Sequence, residues 1–148
     1  MRLWRISNHA DLSGTGGVRY SARWHSKGRP ILYTAEHPAG ALAEFLVHID
    51  LRDMPSAFQM ITIDIEAAPP VVAVDPASLP ANWTTNHAAT RAIGDAWLKS
   101  GNSLLLRVPS VLVPDAFNML VNPAHADAAR MRIAKSEKIP LDPRFGPR

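Results

Sequence analysis

Arg23, Tyr33 and Glu44 lie ten and eleven residues apart, and each falls in a different kind of local sequence. Arg23 precedes Trp24 in a segment rich in glycine and serine. An arginine fork binds a diphosphate through two hydrogen bonds and keeps its charge at any working pH. Tyr33 stands near the end of the apolar run Ile31-Leu32-Tyr33-Thr34-Ala35. Its ring can stack on a flat heterocycle while its hydroxyl meets solvent or a ligand. Glu44 sits inside Ala39-Gly40-Ala41-Leu42-Ala43-Glu44-Phe45-Leu46-Val47, where small side chains let a ligand or another segment come close to a partly desolvated carboxylate. Taken singly, these are a surface arginine, a core tyrosine and an exposed helical carboxylate. Taken together they supply a phosphate clamp, an aromatic platform and a carboxylate, the set that cleavage of a charged nucleotide glycoside requires.

Ser110 follows an apolar stretch in Val108-Pro109-Ser110. No Gly-x-Ser-x-Gly turn surrounds it and no general base is near in sequence, so it reads as a hydrogen-bonding group for a ligand or for Glu44, not as a nucleophile. The six histidines form neither His-x-x-x-His nor His-Glu-x-x-His, which argues against a metal site. The chain has no cysteine, which removes disulfides, thiolate zinc ligands and a thiol nucleophile.

The elements that must carry these residues are short. Thirteen prolines in 148 residues punctuate the chain and disfavour a bundle of long helices. Residues 3–6 read as an opening strand, residues 7–21 as a polar, Gly-rich loop, and residues 31–35 as a compact strand. Pro38 fits the first position of a helix whose core face is Leu42, Phe45, Leu46 and Ile49, with Glu44 and His48 on a neighbouring face. Residues 58–66 alternate as a half-buried strand, with Ile61, Ile63 and Ile65 inward and Met60, Thr62, Asp64 and Glu66 outward. Residues 71–74 form a proline-isolated edge strand. Asn86 caps a helix over residues 87–99, with Ala89, Ile93, Ala96 and Trp97 on its core side and Gly101 as terminator. Strands follow at 103–108 and 117–121, then a short helix at 126–134 and an edge strand with a loose end from 139 onward. Six or seven short strands and three or four helices in mixed order predict an α+β fold around a largely antiparallel sheet.

Length predicts one domain over residues 1–148. The hydrophobic fraction of 47% and charged fraction of 20% are ordinary globular values. A net charge of +3 with dispersed Lys and Arg reads as a mixed solvated surface and predicts no direct nucleic-acid binding. No run approaches a membrane span and the first residues lack a signal-peptide core, so a cytoplasmic protein is expected.

Read in order, Leu3-Trp4-Arg5-Ile6, Ala22-Arg23-Trp24-His25-Ser26-Lys27-Gly28, Leu32-Tyr33-Thr34-Ala35-Glu36, Ala41-Leu42-Ala43-Glu44, Leu106-Arg107-Val108-Pro109-Ser110, Asn118-Met119-Leu120-Val121-Asn122-Pro123-Ala124-His125 and Leu141-Asp142-Pro143-Arg144 resemble the RES-domain toxins of bacterial type II toxin–antitoxin modules. The likeness spans nearly the whole chain. It departs at Ala22, where the family commonly has glycine, and at His25, where it commonly has asparagine. The resemblance implies an ADP-ribosyltransferase-like, split β core and consumption of NAD as substrate, with no metal. The NAD is hydrolysed, phosphorolysed or used to ADP-ribosylate a protein. It places Arg23, Tyr33, Glu44 and Ser110 at the family's active-site positions. It also implies a cognate antitoxin with an Xre-like helix-turn-helix region that occludes the site, and a toxin homodimer within the complex. Arg29, Arg91 and Arg107 are open as further phosphate contacts.

Overall fold

The computed structural model describes residues 1–147. Seven strands form one sheet: β1 (Arg2–Ile6), β2 (Leu32–Ala35), β3 (Ala57–Ile65), β4 (Val71–Ala73), β5 (Leu105–Pro109), β6 (Phe117–Val121) and β7 (Met131–Pro140). The α-helices are α1 (Thr15–Arg19), α2 (Pro38–Leu46) and α3 (His87–Ser100). The spatial order is β4-β5-β6-β2-β1-β3-β7. Every neighbouring pair is antiparallel except β4 with β5. The expected α+β class and largely antiparallel core are therefore found. The split is visible in the register. β2 pairs with β6 through four residues and β1 with β3 through five, but β1 and β2 are registered through Trp4 opposite Ala35 alone.

Directly opposed residues in antiparallel strands share a face of the sheet. One face carries Leu3, Leu32, Ile61, Ile63, Leu105, Met119 and Val121, closed by Leu12 and Ala128. The other face carries two clusters. Trp4, Ile6, Phe58 and Met60 pack beneath α2 through Ala41, Leu42 and Phe45. Leu106, Val108 and Leu120 pack with Trp97 and Leu98 of α3 and with Trp24. The two clusters meet over β2, where Tyr33 belongs to the second and Ala35 to the first.

Most expected elements are present, and the departures have physical causes. Residues 7–21 contain α1, which starts after Gly14 in the left-handed conformation, φ 68°. The strand at 57–65 is buried on both faces at its centre, because α2 covers Phe58 and Met60. Alternation marks only one core face, so a second covering layer does not show in it. The segment expected as a helix over 126–134 is a 3-10 turn at Ala126–Arg130, and residues 131–140 continue as the long edge strand β7. That edge strand thus begins eight residues before the expected one. α2 ends at Leu46, so Ile49 lies beyond it.

The face of α3 differs most from expectation. Its buried residues are Thr90, Gly94, Trp97 and Leu98, while Ala96 is exposed. Asn86 does cap the helix through the Ala89 N–H, at 3.1 Å, and Gly101 ends it in the left-handed region. The rotation arises because α3 docks partly on the main chain of residues 22–26, not only on apolar side chains. Gly94 abuts the carbonyl of Trp24, and a Cβ at position 94 would fall inside the van der Waals shell of that oxygen.

A glycine inside an exposed helix gains about 1 kcal/mol when replaced by alanine. At Gly94 the sign should reverse. Gly94→Ala is expected to lose about 1–3 kcal/mol through overpacking against rigid backbone. Thermal unfolding checks this, and a variant melting at or above the parent temperature would refute the close docking of α3.

Candidate active site

The loop carrying Arg23 is fastened to α3 by hydrogen bonds to its main chain and to Ser26. Thr90 Oγ1 donates to the Arg23 carbonyl at 2.6 Å, and Arg91 Nε donates to the Ala22 carbonyl at 2.7 Å. Asp95 accepts from the Ser26 N–H at 2.8 Å and from its hydroxyl at 2.7 Å. Residues 90, 91, 94 and 95 form one edge of the helix, as i, i+1, i+4, i+5 spacing requires. The Arg23 guanidinium reaches the Thr84 carbonyl at 2.5 Å. That contact engages one of five N–H donors and leaves the fork with capacity for an anion.

Tyr33 braces the same loop from the sheet. Its hydroxyl accepts the Trp24 N–H at 3.2 Å and lies 2.9 Å from His25 Nδ1. His25 Nε2 lies 3.2 Å from the Gly17 carbonyl, which can only accept. The buried imidazole therefore carries its proton on Nε2 when neutral, and Nδ1 accepts the tyrosine proton. Burial raises the Tyr33 phenol above its ordinary range, with Arg91 and Arg23 pulling weakly the other way. The hydroxyl stays protonated and can donate. The sequence offered it to solvent or a ligand; in the structure it holds the loop, and the ring faces the α2–α3 side of the sheet.

Glu44 projects from α2 and meets Asn118 of β6, whose Nδ2 donates to Oε1 at 2.8 Å. Asn118 stands opposite both Ala35 and Val108. Ala35 lies two positions from Tyr33 on β2, so Tyr33, Ala35 and Asn118 share the face beneath α2 and α3. His48 bonds the main-chain carbonyl of Glu44 at 2.8 Å through Nδ1, not its carboxylate.

Ser110 sits one residue beyond the pairing of Pro109 with Phe117. Its hydroxyl accepts from the amides of Leu112 at 3.1 Å and Val113 at 3.4 Å, which shapes the β5–β6 turn. Asn118, not Ser110, is the partner of Glu44. A polar residue within the apolar strand Phe117–Val121 was the signal for it. Trp83 was also missed. It lies beside Thr84 with its ring centroid 6.0 Å from that of Trp24. Of the three further arginines, Arg107 points to the opposite face, where it pairs with Glu36 at 2.5 Å and covers the Phe117 ring at 3.6 Å. Arg91 remains beside Tyr33.

The arrangement joins a cation fork, a braced aromatic ring and a half-buried carboxylate along one face of the sheet. It suits an elongated molecule with an anionic portion at the arginine and a reacting portion that carries or develops positive charge near the carboxylate.

Comparison with known proteins gives a consistent picture. The family described as RES domain matches residues 2–142. The chain is 42% identical to "Toxin Res" of Pseudomonas putida, covering 95% of this chain and 97% of that protein. It is 35% identical to "Prs ADP-ribosylating toxin" of Sphingobium sp., over 97% and 95% of the two chains. Its fold matches the M. tuberculosis MbcT–MbcA toxin–antitoxin complex with a TM-score of 0.73 and 18% identity, over 94% of this chain and 84% of that one.

Removing the tyrosine hydroxyl leaves the Trp24 N–H and His25 Nδ1 without their shared partner. Tyr33→Phe is expected to destabilise by about 1–3 kcal/mol. The sign of the pH effect follows from the raised phenol. Below pH 10, where both folded and unfolded tyrosine are neutral, the burial is fully compatible with folding. Above it the unfolded phenol ionises first, so this contribution declines with rising pH. Urea unfolding at pH 8 and above pH 10 checks both parts. Equal stability of variant and parent at pH 8 would refute the bracing role.

Proposed function

Since the chain belongs to the RES-domain family, we propose that it is the toxin of a toxin–antitoxin pair and cleaves the nicotinamide–ribose bond of NAD. What supports this reading most is the placement of Glu44 on the same sheet face as Tyr33, whose hydroxyl holds the amide of Trp24, next to Arg23 in the chain. The whole of residues 1–148 is read as one RES unit. NAD is the substrate, and no metal is assigned a step.

Arg23 clamps the diphosphate through its free N–H groups. The Tyr33 ring lies against the nicotinamide or its ribose. Glu44 accepts hydrogen bonds from the ribose hydroxyls and stabilises positive charge developing at C1′. The C1′–N bond breaks with its electron pair leaving on the pyridinium nitrogen, so nicotinamide departs neutral and needs no strong general acid. An oxocarbenium-like centre remains, and preorganised negative charge is what favours it. Water then adds and loses a proton, giving ADP-ribose, or phosphate adds, giving its phosphorylated counterpart. Ser110 acts through the β5–β6 turn, orienting the nicotinamide ribose or the neighbourhood of Glu44. Depletion of NAD would arrest growth.

A second reading is favoured by one observation. The relative named as a Prs ADP-ribosylating toxin covers nearly the full chain. In that reading a protein side chain replaces water as acceptor, and the same residues serve.

The partner is a cognate antitoxin with an Xre-like helix-turn-helix region that covers the site, with a toxin homodimer within the complex. Among the described residues no helix is long and apolar enough to cross a membrane. A cytoplasmic location is part of the proposal.

Incubation of antitoxin-free protein with NAD tests the reading. Free nicotinamide with ADP-ribose is expected for hydrolysis, a phosphate requirement for phosphorolysis, and label in a protein band for the second reading. Glu44→Gln is expected to lower kcat by about 10²–10³-fold. Arg23→Ala is expected to raise KM more than it lowers kcat. Folded protein that releases no nicotinamide under any of these conditions would overturn the proposal.

A further inference from the structure

We infer that Asn118 is a positioning residue for Glu44, holding that carboxylate across the junction of two half-sheets. The inference rests on the assignment of Glu44 as the working carboxylate. β1, β3 and β7 form one half and β2, β6, β5 and β4 the other, and Trp4 opposite Ala35 is the one registered pair between them. α2 packs mainly on the first half, through Trp4, Ile6, Phe58 and Met60, and touches the second at Ala35 of β2. Arg23 and Tyr33 belong to the second, since Tyr33 pairs with Leu120 of β6 and Trp24 packs with Leu106, Val108 and Leu120.

The distance from Glu44 to the arginine and tyrosine therefore depends in part on how the two halves sit, since most of the packing under α2 comes from the first. The bond from Asn118 Nδ2 to Glu44 Oε1 spans that boundary at 2.8 Å. Asn118 is itself fixed in a central strand, hydrogen-bonded on one side to β2 and on the other to β5. An amide suits the role because it donates to a carboxylate without adding charge. It occupies Oε1 and leaves Oε2 for a second donor.

Two variants test the assignment, each checked for folding by its melting temperature. Asn118→Leu keeps the branching at Cγ and removes the donor. It is expected to lower kcat about 10–100-fold with KM for NAD changed less than about 3-fold, as loss of transition-state orientation requires. Asn118→Asp places two carboxylates at hydrogen-bond distance, where they share one proton. The singly protonated pair reproduces the native donor. Its activity is expected to fall as the pH rises and that proton leaves, giving an alkaline limb that the parent and Asn118→Leu lack. A folded Asn118→Leu with parental kcat, or equal pH-independent losses in both variants, would overturn the inference.

A measurement without NAD separates this from the proposed function. In the parent protein the Asn118 side-chain amide protons should be slow to exchange, and their NMR resonances should shift in Glu44→Gln. Unshifted resonances sink the positioning role even where NAD is consumed. Shifted resonances in a protein that consumes no NAD leave the contact standing and remove the substrate.

Discussion

The candidate site depends on the docking of one stretch of main chain against one helix. Residues 22–26 carry no regular secondary structure beyond an isolated bridge between Ala22 and His25, so nothing within the loop fixes the direction of Arg23. α3 does so from outside, through Gly94 against the Trp24 carbonyl and through Thr90, Arg91 and Asp95. Contacts to main chain set loop geometry more directly than contacts to mobile side chains. They also tolerate change in the loop's own residues. At Ala22 the carbonyl, not the side chain, is the group held.

His25 shows a related economy. It is almost fully buried, 2% exposed, yet both ring nitrogens are engaged. A buried polar ring without partners would cost several kcal/mol, at roughly 1–3 for each unpaired group. Here the ring ties Gly17, near the C-terminal part of the Gly-rich segment, to Tyr33 of β2. Trp24, Tyr33, His25 and Gly17 thus form a continuous chain of hydrogen bonds from loop to sheet to α1.

Much of this was legible in the sequence. Proline and glycine punctuation placed the ends of β2, α2, α3 and β6, because those residues restrict or free the backbone locally. The three candidate residues stood out in the sequence because each differs from its neighbours: an arginine before tryptophan, a tyrosine in an apolar strand, a glutamate among small residues. Asn118 was not, because its meaning depends on Glu44, seventy-four residues away. The face of α3 was not, because a helix that packs on main chain hides behind glycine and threonine in place of large apolar side chains. Arg107 looked available for phosphate, but a one-residue step along a strand reverses the face, and that parity is fixed only by the register with Met119. The long β7 was obscured because its residues are mostly exposed and charged, as suits an edge strand.

The sparse register between β1 and β2 has a thermodynamic meaning. One buried cluster, with Leu3, Ile61 and Ile63 beside Leu32, Leu105 and Val121, joins the halves on one face, while on the helix-covered face the clusters under α2 and α3 are separate, so the halves are tied on one face and divided on the other. Any molecule long enough to touch both Arg23 and Glu44 touches both halves. Its binding therefore acts as a transient crosslink, and occupancy of the site and resistance of the β1–β2 junction to local opening become linked quantities.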